Sequence, residues 1–276
     1  MNIVISGLGI IGGSYAKALK KYTDHYIIGI NRSEQPLQQA LECGAIDKAG
    51  SPEDLKTADM LILGTFPEAA VHFVEENAHL IPSGCIVCDT CGIKSRICPQ
   101  LSELAAKHGF TFVGVHPMAG KEKNGFSASE ADLFVGASCI IVPCGADEDK
   151  VEIVAKLAEK IGFSQIVYTT PENHDRMIAF TSQIPHVIAC AYVQSPCCPV
   201  HKGFSAGSYR DVSRVAHINE KLWAELFTEN RTALLQEIDV LSEKLAAIRT
   251  ALENDDRGKL EEILAESRRI KEELGE

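Results

Sequence analysis

The part of the chain before residue 170 alternates between short apolar runs and amphipathic segments, and no other feature restricts its possible folds so strongly. Apolar runs predict β-strands at residues 3–6, 26–31, 60–65, 85–90, 111–116, 139–143 and 165–169. Helical periodicity lies between the early runs, for example at 11–20 and 94–107. Such alternation is typical of a mostly parallel sheet with helices on both faces. We therefore predict the α/β class with a doubly wound sheet.

A glycine-rich loop joins the first predicted strand to the first predicted helix. It contains Gly7, Gly9 and Gly12 in the spacing G-x-G-x-x-G. In a dinucleotide-binding (Rossmann-type) fold, the first glycine permits a tight turn, the second lets the backbone approach a pyrophosphate, and the third lets helix and strand pack closely. The helix that starts near Ile10 and Ile11 then points its N-terminus at the phosphates. The strand–loop–helix context favours this interpretation over a merely glycine-rich turn.

The end of the second predicted strand bears on the choice between NAD and NADP. An acidic residue there would bind the ribose 2′-hydroxyl of NAD and repel a 2′-phosphate, but this chain has Asn31, Arg32 and Ser33. A guanidinium and a hydroxyl suit a phosphate dianion. We therefore predict that these residues bind the cofactor and that NADP is favoured. NAD is the alternative if Arg32 stacks on adenine or is only solvated.

Polar and titratable side chains follow three of the later predicted strands. Thr65 and Pro67 follow one strand, Thr90 ends another, and His116 ends a third. Ligands of a doubly wound sheet bind at the carboxyl ends of its strands, so we expect these residues to lie beside the nicotinamide. A histidine there is able to accept a proton near neutral pH. His116 is therefore the candidate general base, and Thr65 and Pro67 are candidate cofactor-binding residues.

The second part of the chain is predicted to be helical. Pro171 begins a helix that the pattern extends past His186, and helical periodicity resumes at Lys221 and continues almost to the end. We therefore predict a dinucleotide-binding domain at residues 1–168 and an all-α domain at residues 169–276.

An apolar seam follows one face of the long C-terminal helix. Its members alternate spacings of four and three, which is typical of a helix that buries one stripe: Leu234, Ile238, Leu241, Leu245, Ile248 and Leu252. The seam is either a core stripe of the helical domain or a subunit interface, and the two interpretations are compatible. We expect a homodimer formed through these C-terminal helices.

Composition excludes several classes of protein. The chain has 276 residues and a formal net charge of −11, which argues against a general nucleic-acid surface. No apolar run approaches the roughly 20 residues of a membrane span, and no signal-peptide pattern precedes the first strand, so we expect a cytoplasmic protein.

The ten cysteines should be mostly reduced thiols. Cys85 and Cys88 have C-x-x-C spacing, but such residues face opposite sides of a strand, so no metal site is predicted.

Motifs spread along nearly the whole chain form one pattern. They are the N-terminal glycine loop, Asp89-Thr90-Cys91-Gly92-Ile93-Lys94, His116-Pro117-Met118-Ala119-Gly120 with Glu122, Ile184-Pro185-His186, and Tyr209-Arg210-Asp211-Val212-Ser213-Arg214. Several motifs in this order are far more specific than any one of them. With them the chain resembles the prephenate and arogenate dehydrogenases of tyrosine biosynthesis.

The resemblance implies an NAD(P)-dependent oxidative decarboxylation of a small cyclohexadiene dicarboxylate. In that family a histidine in the position of His116 takes the proton of the C4 hydroxyl while hydride passes to nicotinamide. Loss of the ring carboxylate as carbon dioxide then makes the ring aromatic. Prephenate would give 4-hydroxyphenylpyruvate, and arogenate, which would give tyrosine directly, is the alternative substrate.

The resemblance also suggests which residues bind the substrate. It assigns His186 and Arg214 to a substrate carboxylate, with Arg210 and Lys121 as secondary candidates and Thr90 beside the reacting centre. Arg214 suits this role because a guanidinium makes paired hydrogen bonds to a carboxylate. The structural alternatives are a buried helix histidine for His186 and an ordinary ion pair for Arg214.

Three positions depart from the family pattern. Gly92 stands where a serine usually orients the catalytic histidine and the substrate, so Thr90, Cys91 or a water would have to compensate. Gln183 stands where a histidine is frequent, and Lys121 where threonine or serine is frequent.

Two other functions are compatible with a glycine-loop domain joined to a helical domain. Hydroxyacid dehydrogenases and reductases share this plan, but they typically use a lysine or a hydroxyl on a helix of the second domain. A non-catalytic nucleotide sensor would bind the cofactor without turnover, and Gly92 is its only support.

Overall fold

One eight-stranded sheet forms the centre of the N-terminal part of the molecule. The structure is a computed structural model and describes residues 1–120 and 123–275. In chain order the strands are β1 (Asn2–Ser6), β2 (Tyr26–Ile30), β3 (Lys48–Ala49), β4 (Met60–Leu63), β5 (Ile86–Asp89), β6 (Thr111–Pro117), β7 (Ser138–Val142) and β8 (Gln165–Tyr168).

The order of the strands brings the predicted site residues to one edge. The sheet runs β3-β2-β1-β4-β5-β6-β7-β8, and every neighbouring pair is parallel except β6 and β7. The chain moves outward from β1 in one direction and then returns to build the other side from β4. The crevice between β1 and β4 at the carboxyl edge is therefore the topological switch point at which such sheets bind ligands. The prediction of a doubly wound, mostly parallel sheet is confirmed.

Helices cover both faces of the sheet and create two hydrophobic cores. They are α1 (Ile10–Tyr22), α2 (Glu34–Glu42), α3 (Pro67–Asn77), α4 (Ile97–His108) and α5 (Glu148–Lys160). Alternate residues of a strand point to opposite faces, so Ile3 and Ile5 of β1 enter one core with α1 and α5. Val4 enters the other core with α3 and α4.

Two local features differ from the pattern-based expectation. Strand β3 was not predicted because it has only two residues and both are exposed. Helix α4 begins at Ile97 rather than at residue 94. The backbone N–H groups of Lys94 and Ser95 instead donate to the carboxylate of Asp175 at 2.8 and 2.7 Å, which holds this segment in a loop.

In the described part of the chain after residue 170 every regular element is a helix, as predicted. Its helices are α6 (Pro171–Ile178), α7 (Ile184–Val193), α8 (Gly207–Ser213), α9 (Glu220–Glu229), α10 (Arg231–Glu253) and α11 (Arg257–Leu274). A π-helical segment at Ala179–Gln183 joins α6 to α7. The helix that the sequence predicts from Pro171 past His186 is therefore present, with a π-helical segment in its middle. Within the described residues, no helix has the length and apolar character required to span a bilayer.

The apolar seam of α10 is buried only at its beginning. Leu234 is 5% exposed, whereas Leu245 and Leu252 are 57% and 63% exposed. A core stripe therefore accounts for the start of the seam and not for its C-terminal half.

Candidate active site

The glycine loop has the geometry that close approach to a phosphate requires. Gly7 adopts a φ of +93°, and a Cβ at Gly12 would lie 1.9 Å from the Gly7 carbonyl oxygen, so a side chain at Gly12 would clash with the backbone. A Cβ at Gly9 would meet nothing within 4 Å, which leaves open space beside this residue. Gly9 also precedes α1 as its N-cap and has no side chain to cover the first-turn N–H groups at Ile10 and Ile11. The loop fits a dinucleotide pyrophosphate at the helix N-terminus.

Of the three residues that follow β2, one makes hydrogen bonds within the protein and two are exposed. The Asn31 side chain accepts from Leu8 N–H at 3.0 Å and donates to the Ser33 carbonyl at 3.0 Å. Its amide therefore fixes the glycine loop against the end of β2. Arg32 and Ser33 are exposed, and the Ser33 hydroxyl does not cap α2, which begins at the next residue.

Thr65 and Pro67 lie beyond β4, on the other side of the switch point from β2. Thr65 Oγ1 is buried and has no hydrogen-bond partner among the described residues, and a Cβ at Gly7 would meet its Cγ2 at 2.5 Å. An orphaned hydroxyl beside the glycine loop fits a polar group of a bound nucleotide, since buried polar atoms are normally hydrogen-bonded. Pro67 is buried and begins α3, so it has no N–H to offer a ligand.

A buried ion pair lies below the carboxyl edge of the sheet. Lys94 and Asp89 both have fully buried side chains and their charged atoms lie 2.6 Å apart. Lys94 Nζ also donates to the Cys91 carbonyl at 2.7 Å, and Asp89 accepts from Val115 N–H at 3.1 Å. Burial alone would lower the pKa of Lys94, but the attraction of Asp89 outweighs it and raises that pKa. The pair ties the end of β5 to the strand that carries His116.

His116 occupies the edge between this ion pair and the helical domain. Its Nδ1 lies 2.9 Å from Nε2 of His174, and Nδ1 of His174 lies 2.6 Å from Oδ1 of Asp175. Burial, with the neighbouring His174 and Lys94 as further causes, lowers the pKa of His116 well below its ordinary 6.5. The ring is therefore neutral at pH 7 and able to accept a proton.

The other ring nitrogen of His116 faces Gly92. A Cβ at Gly92 would lie 3.7 Å from His116 Nε2 and 3.5 Å from Leu226 Cδ2. Thr90 and Cys91 do not compensate for the absent serine, because the Thr90 hydroxyl donates to the Leu63 carbonyl at 3.0 Å and the Cys91 thiol to the Thr65 carbonyl at 3.7 Å. The side chain that contacts His116 is His174, which the sequence motifs did not indicate.

The sequence around His174 gives only a weak indication that this residue contacts the candidate base. Asn173-His174-Asp175 lies in the first turns of the helix predicted from Pro171, where a histidine beside an acid has many structural roles. Only the packing of α6 against the β5–α4 loop brings the pair to His116. The contact joins residues 58 positions apart.

His186 is connected to the same region through helix α9. Its ring stacks on Trp223 with centroids 3.6 Å apart, and its Nδ1 lies 2.7 Å from the Ser182 carbonyl oxygen. Trp223 and Leu226 are three residues apart and thus on one face of α9. Leu226 Cδ2 would lie 3.5 Å from a Cβ at Gly92, so this face of α9 connects His186 to the surroundings of His116.

The candidate cationic residues lie around the end of α7 or outside the described structure. Arg210 is exposed in α8, and Arg214 is exposed at the start of a 3₁₀ turn, Arg214–Ala216. Both α8 and this turn pack against α7, the helix of His186. Lys121 and Glu122 lie outside the described residues.

Comparisons with known proteins agree with this geometry. The nucleotide-binding domain of prephenate dehydrogenase matches residues 15–167, and its dimerization domain matches residues 170–266. Prephenate dehydrogenase of Bacillus subtilis is 32% identical over 265 residues, which cover 92% of this chain and 71% of that protein. Cyclohexadienyl dehydrogenase of Zymomonas mobilis is 31% identical over 281 residues, which cover 98% and 94% of the two chains.

Solved structures of similar proteins have the same overall arrangement. Prephenate dehydrogenase of Aquifex aeolicus, in complex with hydroxyphenyl propionate and NAD+, has a TM-score of 0.88 at 25% identity, covering 99% of this chain and 98% of that chain. Arogenate dehydrogenase of Synechocystis has a TM-score of 0.84 at 26% identity, covering 99% and 100%. A 3-hydroxyisobutyrate dehydrogenase of Mycobacterium tuberculosis, at 16% identity and a TM-score of 0.57, shares only the fold. The chain therefore belongs to the prephenate dehydrogenase family of NAD-dependent oxidoreductases.

Proposed function

We propose that this protein catalyses the NAD(P)-dependent oxidative decarboxylation of prephenate to 4-hydroxyphenylpyruvate. The observation that carries the proposal is the position of His116, held by His174 at the carboxyl edge of a sheet whose glycine loop fits a dinucleotide. Arogenate is the second candidate substrate, because the similar proteins include an arogenate dehydrogenase and a cyclohexadienyl dehydrogenase.

His116 acts as the general base of the proposed reaction. When bound, the nicotinamide supplies the hydride acceptor. Hydride is lost from C4 to that acceptor while His116 Nε2 takes the proton of the C4 hydroxyl, so that the C4 oxygen becomes a carbonyl. The bond to the ring carboxylate then breaks, carbon dioxide leaves, and its electron pair completes the aromatic ring as a C4 phenolate, which takes up a proton to give the phenol of the product. A neutral imidazole at pH 7 has the protonation state that this transfer requires.

Substrate carboxylates are bound from the helical domain in this proposal. Arg214 supplies paired hydrogen bonds to one carboxylate, with His186 and Arg210 as further groups of the helical domain and Lys121 as a candidate from the nucleotide-binding domain. Thr90 follows β5 at the reacting end, and its hydroxyl donates to the Leu63 carbonyl. Holding the substrate against the cofactor from two domains supplies the orientation that such a reaction needs.

A turnover assay tests the proposed function. Reduced-nicotinamide absorbance is followed with prephenate and with arogenate, each combined with NAD and with NADP. The proposal expects turnover of prephenate with at least one cofactor. Turnover of arogenate alone would favour the second candidate, and cofactor binding without turnover in all four combinations would identify a nucleotide sensor.

The pH dependence of the reaction should reflect the lowered pKa of His116. A base with a depressed pKa stays unprotonated as the pH falls. We therefore expect kcat/KM to keep the value it has at pH 7 down to about pH 6.5, the ordinary histidine pKa, and to decline only below that pH. The groups that face the ring are His174 and Lys94, with Asp175 behind His174. Initial rates between pH 5 and 9, with the cofactor dissociation constant as a control, measure this limb. An acid limb centred above 6.5 would contradict the assignment.

The proposed NADP preference depends on Arg32 and Ser33. Removing a guanidinium that hydrogen-bonds a phosphate costs about 1.5–3 kcal/mol, so Arg32→Ala should weaken NADP binding roughly tenfold to a hundredfold. NAD lacks the 2′-phosphate, and its dissociation constant should change by less than about twofold on the same reasoning. Fluorescence titration of both cofactors measures the difference. Equal losses for the two cofactors, or none for NADP, would count against the preference.

We also infer a homodimer formed through the C-terminal helices, with the domain boundary after Tyr168. The dimerization-domain match and the exposed half of the seam support it. Leu245→Glu combined with Leu252→Glu should convert the dimer to a monomer, because burying unpaired charges is unfavourable. Sedimentation equilibrium measures the mass, and Leu41→Glu, at a 42% exposed leucine of α2, is the matched control. Unchanged mass in the double variant would move the interface elsewhere.

A further inference from the structure

His174 and Asp175 form a short chain of hydrogen bonds that ends on the candidate base. Asp175 Oδ1 contacts His174 Nδ1 at 2.6 Å, and His174 Nε2 contacts His116 Nδ1 at 2.9 Å. His174 and Asp175 are 1% and 4% exposed. Buried polar contacts of this kind impose definite donor and acceptor roles, because an unpaired polar group costs more free energy in a low-dielectric interior than at the surface.

The protons in this chain can be assigned from Asp175. Its carboxylate accepts the backbone N–H groups of Lys94 and Ser95 in addition to the contact with His174. Burial would raise the pKa of Asp175, but the hydrogen bonds from His174 and Ser95 outweigh it and lower that pKa. Ionised Asp175 is an acceptor only. Burial lowers the pKa of His174, so its ring is neutral at pH 7 and carries one proton. That proton is on Nδ1, which faces Asp175, and His174 Nε2 is therefore the acceptor.

The same assignment determines the state of His116. An acceptor at His174 Nε2 requires a proton on His116 Nδ1, which leaves the lone pair of a neutral ring on Nε2. That nitrogen is the one that faces Gly92. Position 92 has no hydroxyl to orient it, whereas His174 Nε2 lies 2.9 Å from the opposite nitrogen of the ring.

We propose that His174 and Asp175 are positioning residues that hold His116 in its Nδ1–H tautomer and take the place of the hydroxyl that Gly92 lacks. The inference deepens the proposed function and rests on it for the direction of proton transfer. When His116 Nε2 receives the substrate proton, the Nδ1–H bond to His174 becomes charge-assisted and therefore stronger. No further proton has to move within the chain during this step.

The surrounding contacts hold these residues in one arrangement. Asn230 Nδ2 lies 2.8 Å from the Asp175 carbonyl oxygen and 2.8 Å from Gln183 Oε1. Gln183 in turn donates to the Leu226 carbonyl at 3.2 Å. Gln183, which stands where the family often has histidine, is thus part of the support rather than of the substrate site. The network joins α6, the π-helical segment and the residue between α9 and α10, Asn230.

Two substitutions at His174 separate orientation from simple packing. His174→Gln offers Oε1 as an acceptor for His116 Nδ1–H, whereas His174→Leu has similar bulk and no acceptor. Misplacing a reacting group by about 1 Å costs on the order of 100-fold in rate. We expect kcat to fall by about that factor in His174→Leu and by less than about tenfold in His174→Gln. The cofactor dissociation constant should change by less than about twofold in both.

Nitrogen-15 NMR of histidine-labelled protein tests the tautomer without any turnover. In the parent protein at neutral pH, the His116 shifts should report a protonated Nδ1 and an unprotonated Nε2. In His174→Leu the population should shift toward the Nε2–H form, and in His174→Gln it should not.

The outcomes distinguish this inference from the proposed function. A parent whose His116 carries its proton on Nε2, or a His174→Leu variant with kcat within about threefold of the parent, would overturn the positioning role and leave the reaction standing. Absence of turnover in the parent would refute the reaction, while the NMR result would still decide the tautomer. If His174→Leu does not fold, the parent spectrum and His174→Gln decide the question.

Discussion

His116→Asn is expected to lower kcat by roughly a thousandfold, within the range that a general base contributes. Asparagine places an N–H near the position of Nδ1, so the hydrogen bond to His174 Nε2 is retained, while the basic Nε2 is removed. The cleft and the cofactor site therefore keep their structure and only the proton acceptor is lost. Steady-state kinetics with prephenate and titration of the cofactor provide the two measurements.

A substrate-binding variant provides the contrast for this result. Arg214→Ala should mainly raise KM, because loss of an anion contact made in both the ground state and the transition state leaves kcat less affected. A His116→Asn variant that keeps kcat within about tenfold of the parent would exclude His116 as the base. Equal decreases in kcat for both variants would contradict the assignment of proton transfer to His116 and of substrate binding to Arg214.

Lys94→Met is expected to produce the largest loss of stability, about 3–5 kcal/mol, because it leaves the buried carboxylate of Asp89 without its charged partner. Methionine fills a similar length of the cavity but cannot donate to Asp89 or to the Cys91 carbonyl, which lie 2.6 and 2.7 Å from Nζ. Asp89 also accepts Val115 N–H. Loss of the pair should therefore loosen the strand immediately before His116. Denaturant unfolding with matched slopes measures the change in free energy.

The control for Lys94 is an ion pair of similar length near the surface. Lys20 and Asp47 lie 2.7 Å apart, but their side chains are 30% and 25% exposed. Lys20→Met should cost no more than about 1 kcal/mol, because solvent screens the pair. The double variant Asp89→Asn with Lys94→Met should be more stable than Lys94→Met alone, since it removes the unpaired charge. Equal losses in Lys94→Met and Lys20→Met would contradict a special role for burial.

Features encoded locally were predicted well from the sequence. The alternation of apolar runs and helical segments predicted the mostly parallel sheet, and the Gly7–Gly9–Gly12 spacing predicted the turn that precedes α1. His116 was identified because it ends an apolar run, and ligands of such a sheet bind at the carboxyl ends of its strands. These inferences depend on periodicity and on backbone sterics, which act over a few residues.

The orienting partner of His116 was not predicted. The sequence pointed to Thr90, Cys91 or a water beside Gly92. In the structure Thr90 and Cys91 hydrogen-bond to Leu63 and Thr65, and His174 lies 2.9 Å from the other ring nitrogen of His116. Asp175 was also overlooked, although it holds the β5–α4 loop and delays the start of α4. No periodic or motif-based pattern reports a contact between residues in different domains.

The sequence by itself determined the fold class, the nucleotide loop, the position of His116 and, through its motifs, the family. Each of these follows from local spacing, because strand and helix periods and glycine sterics are properties of neighbouring residues. The tertiary structure alone decided the state of the candidate base. The lone pair of His116 points toward Gly92 because Asp175 and His174, brought together by the packing of α6 on the sheet edge, assign the proton to the other nitrogen.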